Sequence, residues 1–378
     1  MWISAFARWP QSALLSRRLP LSEHIASAKP FAAPVSKPAD MTEDIRHEPD
    51  SPRNASYFNT RNPLIYNDWP YKNTKSPARG QMNGYRPLSE NALRQTIDSF
   101  AVFDEHRRVW AQAREYAGGM YWKARDQYVY LVATTGTRQK RLGPRSPATE
   151  QIYESFRARK AELETRLKSL RMALQEAERL NKALRLGHVP APIVALLAGI
   201  EKTGYGGRFT VVGARALHAF EAAAGVRISQ DTFQISDAPL PSASFRLQFL
   251  VDDEYLDVPL LSILRRADAS FCRKRGQPHI ALNRKGFEVE CFRAMSLPDG
   301  RQQKKISTYS GDVRPATLHG AELLACGARI EHVVIATTGR MATMRTPDPK
   351  LFIDWARHHE LFPTAVVQTL LDDRLLVP

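Results

Sequence analysis

The stretch Phe209 to Val226, "FTVVGARALHAFEAAAGV", decides the reading of this chain. Four β-favouring residues meet Gly213, and a run of helix formers follows at once. The pattern predicts a strand over Phe209–Val212, a turn at the glycine, and a helix from Ala214 to about Ala223. A glycine at such a turn lets backbone approach a ligand closely, and the helix N-terminus behind it favours anions. Gly213 and Ala214 are therefore candidate phosphate-binding residues. The bland alternative is that the glycine serves the turn alone.

Short mixed elements surround this step. Ile193 to Ile200 reads as a buried helix, and Leu256 to Asp268 as another. His279–Leu282 and Phe287–Phe292 form a hairpin around "NRKG", and His332–Ala336 with Met341–Arg345 a second around "TTGR". Leu351 to His359 closes as helix. Upstream, Ser89 to about Ala117 reads as helix ended by Gly118-Gly119, and "MYWKARDQYVYLV" as two strands turning at Lys123–Gln127. The basic run Arg138, Lys140, Arg141 and Arg145 that follows is expected as a loop, either solvated or contacting phosphate. Ser146-Pro147 then opens a long helix, with a hydroxyl cap and proline in the first turn. It is expected to reach about Leu186. From Leu163 to Ala177 its apolar positions step by four, three, four and three, a heptad seam. The seam either packs on the first helix or zips two chains into a homo-oligomer. The fold class is α+β: a mixed sheet with helices, preceded by a helical and β-hairpin region with one long helix. The expected organisation is 1–81 as a disordered lead rich in Pro, Asn, Ser and Asp, 82–188 as the helical region, and 189–378 as the mixed domain.

Composition narrows the function classes. Of 378 residues, 43% are hydrophobic and 25% charged, as in globular proteins, and Lys and Arg exceed Asp and Glu by 54 to 39. The surplus of +15 favours polyanionic partners. Cys272, Cys291 and Cys326 are too scattered for a disulfide framework or a zinc motif, and adjacent His358 and His359 point apart on a helix. The longest clean apolar run, Ala191 to Ile200, is too short to span a bilayer, so the expected setting is cytoplasmic with no membrane partner. Arg8, Arg17 and Arg18 precede the first acid, Glu23, in a transit-peptide-like composition without a cleavage pattern.

The strings "VVGARALHAFEAAAGVR", "ILRRADASF" and "ALNRKGFEVECFR", together with upstream "YWKARDQYVYLV" and "RLGPRSPATEQIYESF", carry a further signal. They resemble a bacterial family with the nucleotidyltransferase fold, within the DNA polymerase β-like superfamily. The likeness covers most of Met82 to about Lys350. It implies a glycine-led loop holding a triphosphate, an Asp-x-Asp pair on the next strand, and a third carboxylate on a later one. Together the carboxylates hold two divalent metals, Mg²⁺ or Mn²⁺, that activate a hydroxyl and stabilise leaving pyrophosphate. Carried onto this sequence, Gly213 and Ala214 fit the loop and Glu290 in "FEVECF" the third carboxylate, with Glu288 on the same strand face and Val289 opposite. Asp237 in "QISDAPLPSASF" fits the first aspartate, and Pro239 stands at the second. Asp252, Asp253, Glu254 and Asp257 are nearby acids without supporting spacing. After "DPKLFIDW" the chain also departs from the family. Two functions follow. One is transfer of a nucleoside monophosphate from an NTP to a hydroxyl of RNA, protein or a small molecule, with metal on Asp237 and Glu290. The other is a non-catalytic descendant that binds nucleotide or nucleic acid; a copy from a damaged gene would likewise be inactive.

Overall fold

The computed structural model describes residues 84–229, 246–252, 256, 258–294, 311–358, 364–373 and 375–376. The lead expected over 1–81 lies outside them. The first elements are β1 (Tyr85–Pro87), the helix α1 (Glu90–Glu115), and strands β2 (Gly119–Arg125), β3 (Tyr128–Thr135) and β4 (Arg138–Pro144). Ser89 caps α1 by accepting from the Ala92 N–H. The long helix α2 (Pro147–Ala183) starts in a capping box, where Ser146 and Thr149 each satisfy the other's backbone N–H.

One expectation is corrected here. The basic segment is an edge strand, β4, and so the hairpin is a three-stranded antiparallel meander in the order β2-β3-β4. Two-residue turns at Asp126-Gln127 and Gly136-Thr137 make it, with left-handed backbone at Asp126 and Gly136 (φ 55° and 59°). Pairing with β3 fixes β4 as strand, even though its first four residues are all charged or polar.

The heptad seam of α2 faces α1. Leu163 and Leu167 are buried with Val109, with Trp110, Ala113 and Tyr116 packed around them. Farther along, Ala177 and Leu174 meet Phe100 and Phe103.

Past Pro190 come α3 (Ala191–Thr203), β5 (Phe209–Val212), α4 (Leu217–Ala224), β6 (Val226–Ile228), β7 (Arg246–Val251) and α5 (Leu260–Ala267). They are followed by β8 (Cys272–Arg273), β9 (Ile280–Leu282), β10 (Glu288–Ala294), β11 (Ala316–Leu318), α6 (Glu322–Cys326), β12 (Arg329–Ile335), β13 (Met341–Pro347), α7 (Pro349–His358) and α8 (Ala365–Asp372). The central sheet runs β5-β7-β10-β9-β8, with β11 added beside β10. It is mixed: β5 lies antiparallel to β7, while β7 and β10 are parallel. A parallel pair needs a crossover, and the connection between β7 and β10 includes α5. The β12–β13 hairpin falls where its pattern predicts, as does β9–β10. Seven elements went unread in the sequence: β1 and β6, which pair antiparallel with each other, and β7, β8, β11, α6 and α8.

The core gathers around Phe220, Phe249 and Phe352, all fully buried. Burial of each such side chain contributes about 1.5–3 kcal/mol relative to exposure. Gly199 marks the closest approach in this core, where α3 crosses α5. A Cβ there would lie 2.3 Å from the Cβ of Ala267 and 2.6 Å from its Cα. Gly199→Val is therefore expected to force the helices apart and lose about 2–3 kcal/mol in urea unfolding. A loss under about 0.5 kcal/mol would show that α3 and α5 do not cross so closely.

Candidate functional site

The site is a row of side chains across three strands. β5 delivers the chain to Gly213, whose φ of 71° and ψ of −169° suit glycine alone. A short 3-10 turn over Ala214–Ala216 then leads into α4. An added Cβ at Gly213 would meet Oε1 of Gln248 at 2.0 Å. The glycine thus lets the β5 turn sit directly against β7.

From β7 the row continues to β10. Register places Val212 opposite Gln248, and Gln248 opposite Glu290; one step along, Arg246 stands opposite Glu288. The amide of Gln248 donates to Glu290 Oε2 at 2.9 Å, and His279 Nε2 lies 3.3 Å from the other oxygen. Arg246 donates to Glu288 Oε2 through two nitrogens, at 2.9 and 3.2 Å, and holds another nitrogen 3.7 Å from Glu290. Lys274 bonds the second oxygen of Glu288. Both glutamates are buried. Burial alone would raise the Glu288 pKa, but the hydrogen bonds from Lys274 and Arg246 outweigh it and hold the carboxyl below its ordinary value. Val289 and Cys291 point the other way, into the core, where burial pushes the Cys291 thiol far up. The alternation read for this strand is the one observed.

Of the residues singled out in the sequence, Gly213 and Glu290 both meet Gln248, and Ala214 follows Gly213 in the 3-10 turn. Asp237, Pro239 and Pro241 lie outside the described residues, as do Asp253, Glu254 and Asp257. Asp252 sits at the far end of β7, where it binds Arg208 and Arg329. Counting residues from Gly213 passed over Arg246 and Gln248. The alternation in "RLQFLV" was the signal that could have found them: Leu247 and Phe249 inward, Arg246 and Gln248 on the site face.

A second cluster joins α4 to the α2–α3 connection. His188, His218 and Glu221 offer ligand atoms within 4.8 Å of one another. That spacing can serve an ion. Here, however, Arg227 presses its guanidinium against Nδ1 of His188 and donates to the Leu186 carbonyl. Positive charge is already supplied, and the acceptor state this imposes on Nδ1 leaves Nε2 carrying a proton towards Glu221. The group is a buried ion-pair network that ties α4 to the α2–α3 connection and β6.

Residues 192–355 match a nucleotidyltransferase family. The matched segment runs from the first turn of α3 into α7 and contains Gly213, Gln248, Glu288 and Glu290. No curated protein and no solved structure matches the chain. Among the described residues, no helix is long and apolar enough to cross a membrane. Nucleotidyltransferases as a class act on nucleoside triphosphates with divalent metals. The described donors do not fit a two-metal centre. Arg246 is a cation and Gln248 a neutral amide, and between them they occupy the face opposite Glu288 and Glu290.

Proposed function

We propose that this protein uses a nucleotidyltransferase fold to bind a nucleotide, with the phosphates at Gly213 and Ala214, without transferring the nucleotidyl group. The observation that carries the reading is the register of β7 on β10. On the strand next to the third carboxylate, where the family resemblance implies an Asp-x-Asp pair, the chain has Arg246-x-Gln248. A guanidinium there does by itself part of what divalent cations would do, since it offsets carboxylate charge and leaves a positive edge for phosphate. A second reading keeps the transferase chemistry. Glu290 persists beside the glycine turn, and Asp237 would join it in holding Mg²⁺ or Mn²⁺ for transfer to RNA, protein or a small hydroxyl acceptor.

Two measurements on the full chain separate them. Calorimetric titration with each NTP is expected to show binding that survives EDTA. Gly213→Val, which drives a side chain into Gln248, should weaken that binding at least about tenfold, or about 1.4 kcal/mol. Pyrophosphate release with Mg²⁺ or Mn²⁺ and total RNA is expected to match the protein-free control. Metal-dependent release that disappears in Glu290→Gln would overturn the proposal in favour of the transferase. No NTP binding at all would remove the nucleotide from both readings.

A further inference from the structure

The β2-β3-β4 meander has one face packed, and its other face is open around the β2–β3 turn, with Val132 buried farther along it. On the packed face Trp122 lies against Tyr153 of α2, with ring centroids 5.6 Å apart, and Leu131 is fully buried. The open face follows from register. Arg125 pairs with Tyr128, Lys123 with Tyr130 and Tyr121 with Val132, and Val132 in turn with Arg141. Directly paired residues share a face, so Tyr121, Lys123, Arg125, Tyr128, Tyr130 and Arg141 all lie on the side away from Trp122.

This face is built from rings and cations. Tyr128 is 54% exposed and Tyr121 37%. Tyr128 and Tyr130 sit side by side with centroids 6.3 Å apart, and the Arg141 guanidinium lies 4.4 Å from the centre of the Tyr130 ring. From Gly119 to Arg145 the sequence has six lysines and arginines against a single acid, Asp126. That aspartate is at the turn, 3.8 Å from Arg125, and both side chains are largely exposed. Interleaved cations and flat aromatic surfaces match a polyanion whose rings are free to stack. A duplex keeps its bases stacked on one another, whereas a single strand can turn them onto tyrosines. An acidic protein segment would satisfy the charges but leave the ring surfaces unused.

We infer that the open face of the β2-β3-β4 meander binds single-stranded nucleic acid, with Tyr121, Tyr128 and Tyr130 as stacking surfaces and Lys123, Arg125 and Arg141 on the phosphates. The site stands apart from the Gly213 row and needs no nucleotide there.

The test is fluorescence anisotropy on the full chain, with labelled oligo-U, oligo-dT and an RNA duplex, each about 12 nucleotides long. Both single strands are expected to bind at least about tenfold tighter than the duplex, and a preference for oligo-U over oligo-dT would assign RNA through its 2′-hydroxyls. Tyr128→Ala with Tyr130→Ala should weaken single-strand binding by at least about tenfold, while the two Tyr→Phe changes leave it nearly intact, because phenylalanine keeps the stacking surface. Lys123→Gln should lower the salt slope of log K by about 0.7 between about 50 and 200 mM. Tyr128→Ala alone guards against misfolding, since that ring projects into solvent, and its circular dichroism should be unchanged. Equal affinity for duplex and single strand with no effect of the tyrosines would overturn the inference, as would no binding. So would a dimer, seen by sedimentation, that Tyr128→Ala dissociates, because the face would then be a contact between copies of this chain.

Discussion

Arg246→Asp combined with Gln248→Asp is expected to destabilise the protein by several kcal/mol in EDTA and to make it bind Mn²⁺. β7 and β10 run parallel with Arg246 opposite Glu288 and Gln248 opposite Glu290. The double change would therefore set four carboxylates on one buried sheet face. At an effective dielectric of about 20, each like pair about 5 Å apart repels by about 3 kcal/mol. Lys274 and His279 stay behind to offset part of this. A divalent ion relieves the rest, and saturation at a hundred times its Kd returns about 2.7 kcal/mol. Urea unfolding with and without Mn²⁺, beside the metal's paramagnetic resonance signal, measures both effects. The parent should show neither. If the variant were as stable as the parent in EDTA and indifferent to Mn²⁺, then Arg246 and Gln248 would not face the glutamates, and the reading of a charge-neutralised site would fall with them. Arg246→Met is the control: it removes the cation without adding an acid, and it should weaken the fold without creating an ion site.

Glu221→Ala is expected to cost about 3–5 kcal/mol, because it strands the partners of a buried carboxylate. The side chain is fully buried. One oxygen accepts from the Ile228 N–H at 2.7 Å, and the other from His218 at 3.2 Å and from His188. With the carboxylate gone, Arg227 keeps its charge beside His188 without a nearby counter-ion in this network. Glu221→Gln keeps an acceptor for Ile228 and should cost less. Burial by itself would raise the Glu221 pKa, but the hydrogen bonds from His188 and His218 outweigh it and hold the group below its ordinary value. The folded state therefore binds this proton less readily than the unfolded chain. The stabilisation is complete above the ordinary glutamate pKa of about 4.3 and is lost as pH falls through the lower folded value. Burial also lowers the His218 pKa, with Arg215 adding to the shift, so that histidine destabilises the fold in the same direction once pH falls below about 6.5. Denaturation midpoints between about pH 7 and 3 should fall steeply in the parent and more gently in Glu221→Gln. Parallel curves would take Glu221 out of the acid response.

Local chemistry made much of this fold legible. Ser146-Pro147 announced the start of α2, the seam from Leu163 to Ala177 announced the face turned to α1, and the strand–glycine–helix step placed Gly213. What escaped was set by partners far away in the chain. β4 opens with four charged or polar residues and ends in Leu-Gly-Pro, so nothing in its own pattern says strand, and pairing with β3 decides it. β1 is three residues ending in proline, and its partner β6 lies about 140 residues on. The second half of the site escaped for another reason. Spacing from a glycine assumes a loop length, whereas the strand that lies against Glu290 begins only at Arg246. Asp237, chosen by that spacing, falls in the interval between β6 and β7.

The pairing of β1 with β6 bears on how the family-matched segment can be handled in isolation. Gly84 and Leu88 bracket β6 with backbone hydrogen bonds to Ser229 and Gly225. Asn181 of α2, itself held by Ser99 of α1, reaches the carbonyl of Gly339 in the β12–β13 turn. Ala177, Val333, Ile335 and Met341 share a single apolar cluster across the same boundary. A fragment cut to residues 189–378 would thus lose the strand that covers β6 and the helices that cover the hairpin. It would present an open sheet edge beside a bare apolar face, the combination that drives edge-to-edge aggregation. Recovery of such a fragment in inclusion bodies would therefore reflect exposed surface rather than a sequence unable to fold, and co-expression with residues 82–188 should return it to the soluble fraction.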